Sequence, residues 1–246
     1  MSTILEKINS PADVKRLSMV ELERLAEEIR ERLIVGVSKT GGHIGPNLGV
    51  VELTLAMHYV FDTPTDSFVF DVSHQAYVHK LLTGREKLFH TIRQPNGLNG
   101  FMLRTESEHD SYGAGHAGTA LSAALGMAVA RDMSGGSEHI VALAGDAAFT
   151  NGISYEALNN IAAQTKRLIV VLNDNAWSID KNVGAIAEYF HKIVMNPTIS
   201  SWHDKAAELL ERFGGKTVRH VARKAEEAAK GLIGPGTLFE EFGISY

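Results

Sequence analysis

The 246-residue sequence contains no cysteine. That excludes disulfides, thiolate metal sites and cysteine nucleophiles together. It has no long apolar run: the wholly aliphatic stretch Leu168 to Leu172 is five residues, against about 20 for a membrane span. The amino-terminal stretch Met1 to Arg16 lacks the apolar core of a signal peptide. Basic charge is in deficit, with 24 Lys and Arg against 29 Asp and Glu and a net charge of −5. The basic residues are scattered, so the electrostatic footprint of a nucleic-acid binder is absent. A cytoplasmic protein that engages neither membrane nor nucleic acid is expected. What is present is an ordinary globular composition, 44% hydrophobic and 22% charged, in a chain long enough to bury a sizeable core without staples.

The chain begins with well-punctuated helix. Ser10-Pro11 reads as a cap followed by a first-turn proline. Ser18 and Glu21 form a capping-box pattern, with Leu17 and Leu22 placed as a hydrophobic staple. Leu22, Leu25, Ile29 and Leu33 then recur at helical spacing. A glycine-rich turn, Gly41 to Gly49, precedes a helix-like stretch from Val50 to Tyr59. Ser67 to Val72 reads as a buried strand ending at Ser73-His74, and residues 75–83 as helix. Residues 84–114 are a long, weakly patterned connection, the kind of loop that often carries function.

The centre is the most informative. Gly115 to Thr119 opens a helix of small residues running through Ala130. His139 to Ala144 reads as a strand closed by Gly145-Asp146, Ile153 to Gln164 as a helix, and Leu168 to Leu172 as a strand closed by Asn173-Asp174-Asn175. This is a βαβ unit with parallel strands. Residues 184–232 read as mainly helical, Gly234-Pro235-Gly236 as a turn, and Thr237 to Phe242 as a last strand. The fold class expected is α/β, a three-layer α/β/α domain with a largely parallel sheet.

In such sheets ligands sit beyond the carboxyl ends of the strands. A right-handed crossover puts the ends of sequential parallel strands on one edge. Asp146 and Asn175, 29 residues apart, both lie just past such ends. Carboxylate and amide oxygens suit magnesium, which keeps substrate phosphates and water as further ligands, and nearby helix amino termini favour phosphate. A magnesium–diphosphate site is one reading. The other makes Asp146 a helix cap and residues 173–175 a polar turn.

Asp146 with Asn173-Asp174-Asn175 resembles the thiamine-diphosphate fingerprint. Gly42-His43, Val51-Glu52-Leu53-Thr54, Phe70 to Tyr77, His79-Lys80, Leu82 to Arg85, Thr91 to Gln94, Gly115-His116, Asn182 to Ala185 and Pro235 to Glu241 are similar to one branch, the 1-deoxy-D-xylulose-5-phosphate synthases of the transketolase-like superfamily. The resemblance implies a transferase joining pyruvate and glyceraldehyde 3-phosphate, with loss of carbon dioxide, in isoprenoid-precursor and thiamine biosynthesis. It implies thiamine diphosphate and magnesium as cofactors. Asp146, the Asn175 side chain and the Trp177 carbonyl would hold the metal. His74, Gly115, His116, Ala117, Ala147, Ala148 and, through the metal, Asn175 would line the cofactor. His43 and His74 are the catalytic candidates, with His43 facing the substrate. His58, His90 and His191 receive no such role, and Glu52 is read as structural.

The resemblance also implies what to expect of the whole. Residues 1–246 would form the diphosphate-binding domain, with the family's pyrimidine-binding and carboxyl-terminal domains absent. The glutamate that activates the cofactor belongs to the second domain, so the isolated chain is expected to be inactive, to need a separate chain carrying that domain, and to form a homo-oligomer through the helix from Thr119 to Ala130. Departures from the family pattern are Ala147 and Ser73, each in place of glycine, and Ala117 in place of serine. Ala147 is tolerated if its φ is negative and strained if positive. The alternatives are a diverged non-catalytic binding or regulatory module, or a subunit of another split transketolase-like enzyme.

Overall fold

A computed structural model describes residues 3–174 and 237–245. The helical segments expected over 184–232, the turn at 234–236, and Asn175 and Trp177 lie outside the described residues.

The amino-terminal helices follow their caps. Helix α1 (Pro11–Val14) carries Pro11 in its first turn and a reciprocal box between Ser10 and Asp13. Helix α2 (Met19–Thr40) starts at Ser18, whose side chain accepts from Glu21 N while the Glu21 carboxylate accepts from Ser18 N. Two otherwise unpaired amides of the first turn are satisfied this way. Leu25, Ile29 and Leu33 are fully buried along one face.

The segment expected to be a glycine-rich turn holds a short helix, α3 (Ile44–Leu48). Pro46 fits because it sits in the first turn, where no intrahelical amide donor is needed. Helix α4 (Val51–Val60) leads to strand β1 (Ser67–Phe70). Helix α5 (Tyr77–Lys80) runs into a π turn, Leu81–Arg85, and a 3₁₀ turn, Glu86–Thr91. That last turn lies inside the connection expected to be irregular.

The βαβ unit forms as expected. Helix α6 (Ala120–Met133), strand β2 (Ile140–Gly145), helix α7 (Gly152–Gln164) and strand β3 (Leu168–Asn173) follow in order. The sheet order is β1-β2-β3, all parallel, with Phe70 opposite Leu143 and Gly145 opposite Asn173. Period-two alternation sends each strand's residues to two apolar cores. Val69, Ile140, Ala142, Ala144, Leu168, Val170 and Leu172 face α6 and α7. Phe68, Phe70, Val141, Leu143, Ile169 and Val171 face Met57 of α4 and Met102. A third core joins α2, α4 and α5. The three-layer α/β/α expectation is met.

One element differs. The strand expected at Thr237 to Phe242 is a helix, α8 (Thr237–Glu241). Its apolar residues serve a helical face: Phe239 packs edge-on against Phe149, with ring centroids 5.8 Å apart, and Phe242 lies 6.3 Å from Tyr155. A short apolar run satisfies either period, and packing beside α7 selects the helix.

Candidate functional site

All three strands point their carboxyl ends to one edge. Asp71, Asp146 and Asp174 are the residues immediately beyond β1, β2 and β3.

At the end of β1 the backbone turns sharply. Val72 and Ser73 have φ of 57° and 64°, a left-handed conformation costly for a β-branched residue and for any non-glycine. The strain at Ser73, which stands where glycine was expected, is real. A hydrogen bond accompanies it: the buried Ser73 Oγ accepts from Met102 N at 2.9 Å. This turn delivers His74 to the sheet edge.

His43 arrives from the glycine-rich turn. Gly41 and Gly42 have φ of 75° and 143°, and a Cβ on Gly42 would stand 2.8 Å from the Tyr77 hydroxyl. Glycine is therefore required for the close approach that brings His43 beside His74. Their ring centroids are 5.3 Å apart, edge to face at 72°. Phe101 lies 5.9 Å from the His43 ring.

Both imidazoles are held neutral. Burial, then the neighbouring His43, pushes His74 down to about 4. Burial, then Arg93, lowers His43. The Nδ1 atom of each is buried and lacks a hydrogen-bond partner. Buried polar atoms in folded proteins are nearly always paired, and an unpaired one calls for a reason.

Asn47, unremarked in the sequence reading, joins the two histidine segments. It is fully buried. Its Nδ2 donates to the carbonyls of His43 at 2.6 Å and His74 at 2.8 Å, and its Oδ1 accepts from Tyr77 N at 2.8 Å. A polar residue amid glycine and proline reads as a turn former, and only the buried environment distinguishes it.

Asp71 joins the next element. Its carboxylate accepts from Gly118 N at 2.9 Å and Ala120 N at 3.1 Å, engaging the amino terminus of α6. Burial raises its pKa against the lowering effect of those amides. Gly118, with φ of 82°, leaves only 2.8 Å between a notional Cβ and Asn151 Cβ. The turn is thus wedged between the end of β1 and the start of α7. Ahead of it, Gly115, His116 and Ala117 are exposed, and Gly115 has open space around it.

Asp146 opens a 3₁₀ turn, Asp146–Thr150, and α7 is capped by Asn151 instead. The reading of Asp146 as the cap of α7 is therefore set aside. Ala147 is exposed within that turn and outside the left-handed region, so the absence of glycine costs no strain there. Ala148 is buried, and its carbonyl accepts from Ser154 Oγ at 2.7 Å. Among the described residues, no group of three or more His, Asp or Glu side chains is arranged to hold a metal. Asn175 and Trp177 lie outside the described residues. Nor is any helix among the described residues long and apolar enough to cross a membrane.

The structure thus brings His43 and His74 together, sets the Gly115–Ala117 turn beside the end of β1, and places Asp146 just beyond the adjoining strand. A family model described as 1-deoxy-D-xylulose-5-phosphate synthase matches residues 5–246. A protein of that name from Acidobacterium capsulatum is 73% identical over 246 residues, covering 100% of this chain and 39% of its own. Another from Methylacidiphilum infernorum is 67% identical with the same coverage. The chain therefore spans 39% of the length of these curated relatives. A crystal structure of transketolase from Campylobacter jejuni superposes with a TM-score of 0.59 at 22% identity, over 68% of this chain and 30% of that one; at this identity the likeness shows the fold alone. With the model matching almost every residue and relatives this similar over the full chain, the chain belongs to the 1-deoxy-D-xylulose-5-phosphate synthase family.

Proposed function

We propose that this chain anchors and orients the diphosphate end of thiamine diphosphate for a decarboxylative ketol transfer from pyruvate to glyceraldehyde 3-phosphate. The observation carrying this reading is the pair of imidazoles, 5.3 Å apart, whose Nδ1 atoms are both buried without a partner. They stand at the edge where ligands of parallel α/β sheets bind. Buried polar atoms left without partners at such an edge call for a reason, and a polar ligand supplies one.

Thiamine diphosphate, when bound, supplies the nucleophilic carbon, and the protein supplies binding and orientation. His74 and the Gly115–His116–Ala117 turn bind the diphosphate, with backbone amides of Ala147 and Ala148 beside them. A neutral His74 offers a hydrogen bond but no cationic charge. Charge compensation would come from magnesium, which Asp146, the Asn175 side chain and the Trp177 carbonyl would hold. His43 lies on the substrate side, where a neutral imidazole accepts and returns a proton at Nδ1. Phe101 packs at a tilt against its ring. A non-catalytic module is the competing reading, but Ala147 no longer argues for it, since alanine fits its backbone. Self-association through α6, where Gly126 is exposed with open space around it, belongs to the same proposal and is tested by light scattering.

Titration calorimetry of the chain with thiamine diphosphate, with and without magnesium, tests the reading. Coupled binding should make the two affinities differ by about 5–150-fold, and Asp146→Ala should remove the difference with the circular dichroism unchanged. Equal affinities would remove the metal from the site. No binding in either condition would refute the reading.

A further inference from the structure

We propose that Asn47 is a positioning residue: its buried carboxamide fixes the spacing and mutual orientation of the His43 and His74 imidazoles. The inference deepens the proposed function and rests on it for its catalytic meaning, though not for its test.

Three observations converge. Asn47 directs both amide protons and its carbonyl oxygen to the two segments that carry the histidines, as backbone bonds of 2.6 to 2.8 Å. Those segments come from distant parts of the chain, 27 residues apart between Asn47 and His74. The other polar tie between them, from His43 N to the Tyr77 hydroxyl, is long at 3.5 Å. The short polar ties between the two segments therefore converge on one side chain. In addition, both donated bonds end on the carbonyls of the histidines themselves, so displacing the amide moves the residues that bear the rings.

The third bond has a separable purpose. Tyr77 N is the first amide of α5, one of those a helix cannot satisfy internally. Asn47 Oδ1 caps it from outside the helix. A merely structural Asn47 would be explained by that cap. A positioning Asn47 requires the two bonds from Nδ2.

This distinction gives the experiment. The full 246-residue chain, labelled with ¹⁵N at histidine, is titrated by NMR without cofactor. Asn47→Ala removes all three bonds. Asn47→Asp keeps the oxygen that accepts from Tyr77 N and loses both donors to the carbonyls. In Asn47→Ala, which adds no charge, His74 should gain proton affinity by at least about tenfold as burial and the pressure of His43 relax; in Asn47→Asp the new carboxylate adds to that rise. The response of His74 to His43→Gln, present in the unaltered chain, should vanish. Thermal stability should fall in both variants: Asn47→Ala loses the cap of α5, and Asn47→Asp keeps that cap but sets a buried oxygen against two carbonyl acceptors. Wild-type histidine titration in either folded variant overturns the proposal. If neither variant folds, the unaltered chain decides. Its Asn47 side-chain amide protons should exchange far more slowly than those of exposed asparagines, and equal exchange overturns the proposal. Histidines that follow Asn47 in a chain that binds no thiamine diphosphate would support positioning and defeat the proposed function.

Discussion

Acid should destabilise this protein well before its carboxylates titrate, because of two histidines away from the sheet edge. His58 and His79 are fully buried and stacked, with ring centroids 5.1 Å apart. His79 Nε2 lies 3.2 Å from Asp110 Oδ1, and His79 Nδ1 lies 3.0 Å from His58 Nε2. One proton arrangement satisfies every contact. His58 donates Nε2–H to His79 Nδ1, and His79 donates Nε2–H to Asp110. Both rings are then neutral, and His58 Nδ1 is left as a bare acceptor, matching its lack of a partner. Arg85 already holds both oxygens of Asp110 at 2.8 and 2.9 Å, and its charge opposes the pull of the carboxylate toward a protonated His79. Burial pushes His79 down to about 4 and His58 well below its usual 6.5.

The sign follows from which state takes up protons. Each histidine protonates at about 6.5 in the unfolded chain and resists protonation in the folded one. Stability is complete above that value and is lost as pH falls toward the folded value near 4. At pH 5 His79 alone withdraws about 2 kcal/mol, and His58 adds a loss of the same sign. Urea unfolding between pH 7.5 and 5 measures the loss directly. His58→Phe, whose ring suits the edge-on contact with Phe68, should make the loss between pH 7.5 and 5 smaller than in wild type. An identical pH dependence in variant and wild type would refute the neutral-pair reasoning.

Two further substitutions test the sheet edge by chemical unfolding. Asp71→Ala leaves the Gly118 and Ala120 amides buried without their acceptor and should cost about 3 kcal/mol, with Asp71→Asn costing less because one oxygen remains. Ser73→Gly relieves a left-handed serine and removes the bond to Met102 N. These effects oppose each other at about 1 kcal/mol apiece, so the net change should stay within about 1 kcal/mol of zero.

Where local chemistry and tertiary packing agree, the elements are legible from the residues alone. The Ser18–Glu21 box and the Leu25–Ile29–Leu33 stripe define α2, and the apolar runs before Asp146 and Asn173 define two parallel strands. Thr237 to Phe242 misleads because six residues with three apolar positions obey either period, and contact with α7 decides. His43 and His74 stand out only through the family resemblance, since a histidine beside glycine has no distinctive spacing. Asn47 and Asp71 are harder still. Their significance is in the backbone groups they meet 27 to 49 residues away, and no local pattern records such partners. The roles of Asn175 and Trp177 rest on the resemblance, because both lie outside the described residues.

The connection that follows the π turn has a further consequence. Between Gln94 and Thr119 the backbone forms no regular helix or strand, yet it is held by buried charge. Lys80 bonds Glu106, Arg85 bonds both Glu106 and Asp110, and Asp110 Oδ2 accepts from Leu103 N at 3.0 Å. Lifting this stretch away would strand Lys80 and Arg85 without counter-charges in a dry interior, a penalty of several kcal/mol. The connection and α5 should therefore open as one cooperative unit, with the amide of Leu103 exchanging its hydrogen as slowly as those of the helix beneath it. Here irregular backbone marks a clasp, and its lifetime is set by ion pairs rather than by a hydrogen-bonded ladder.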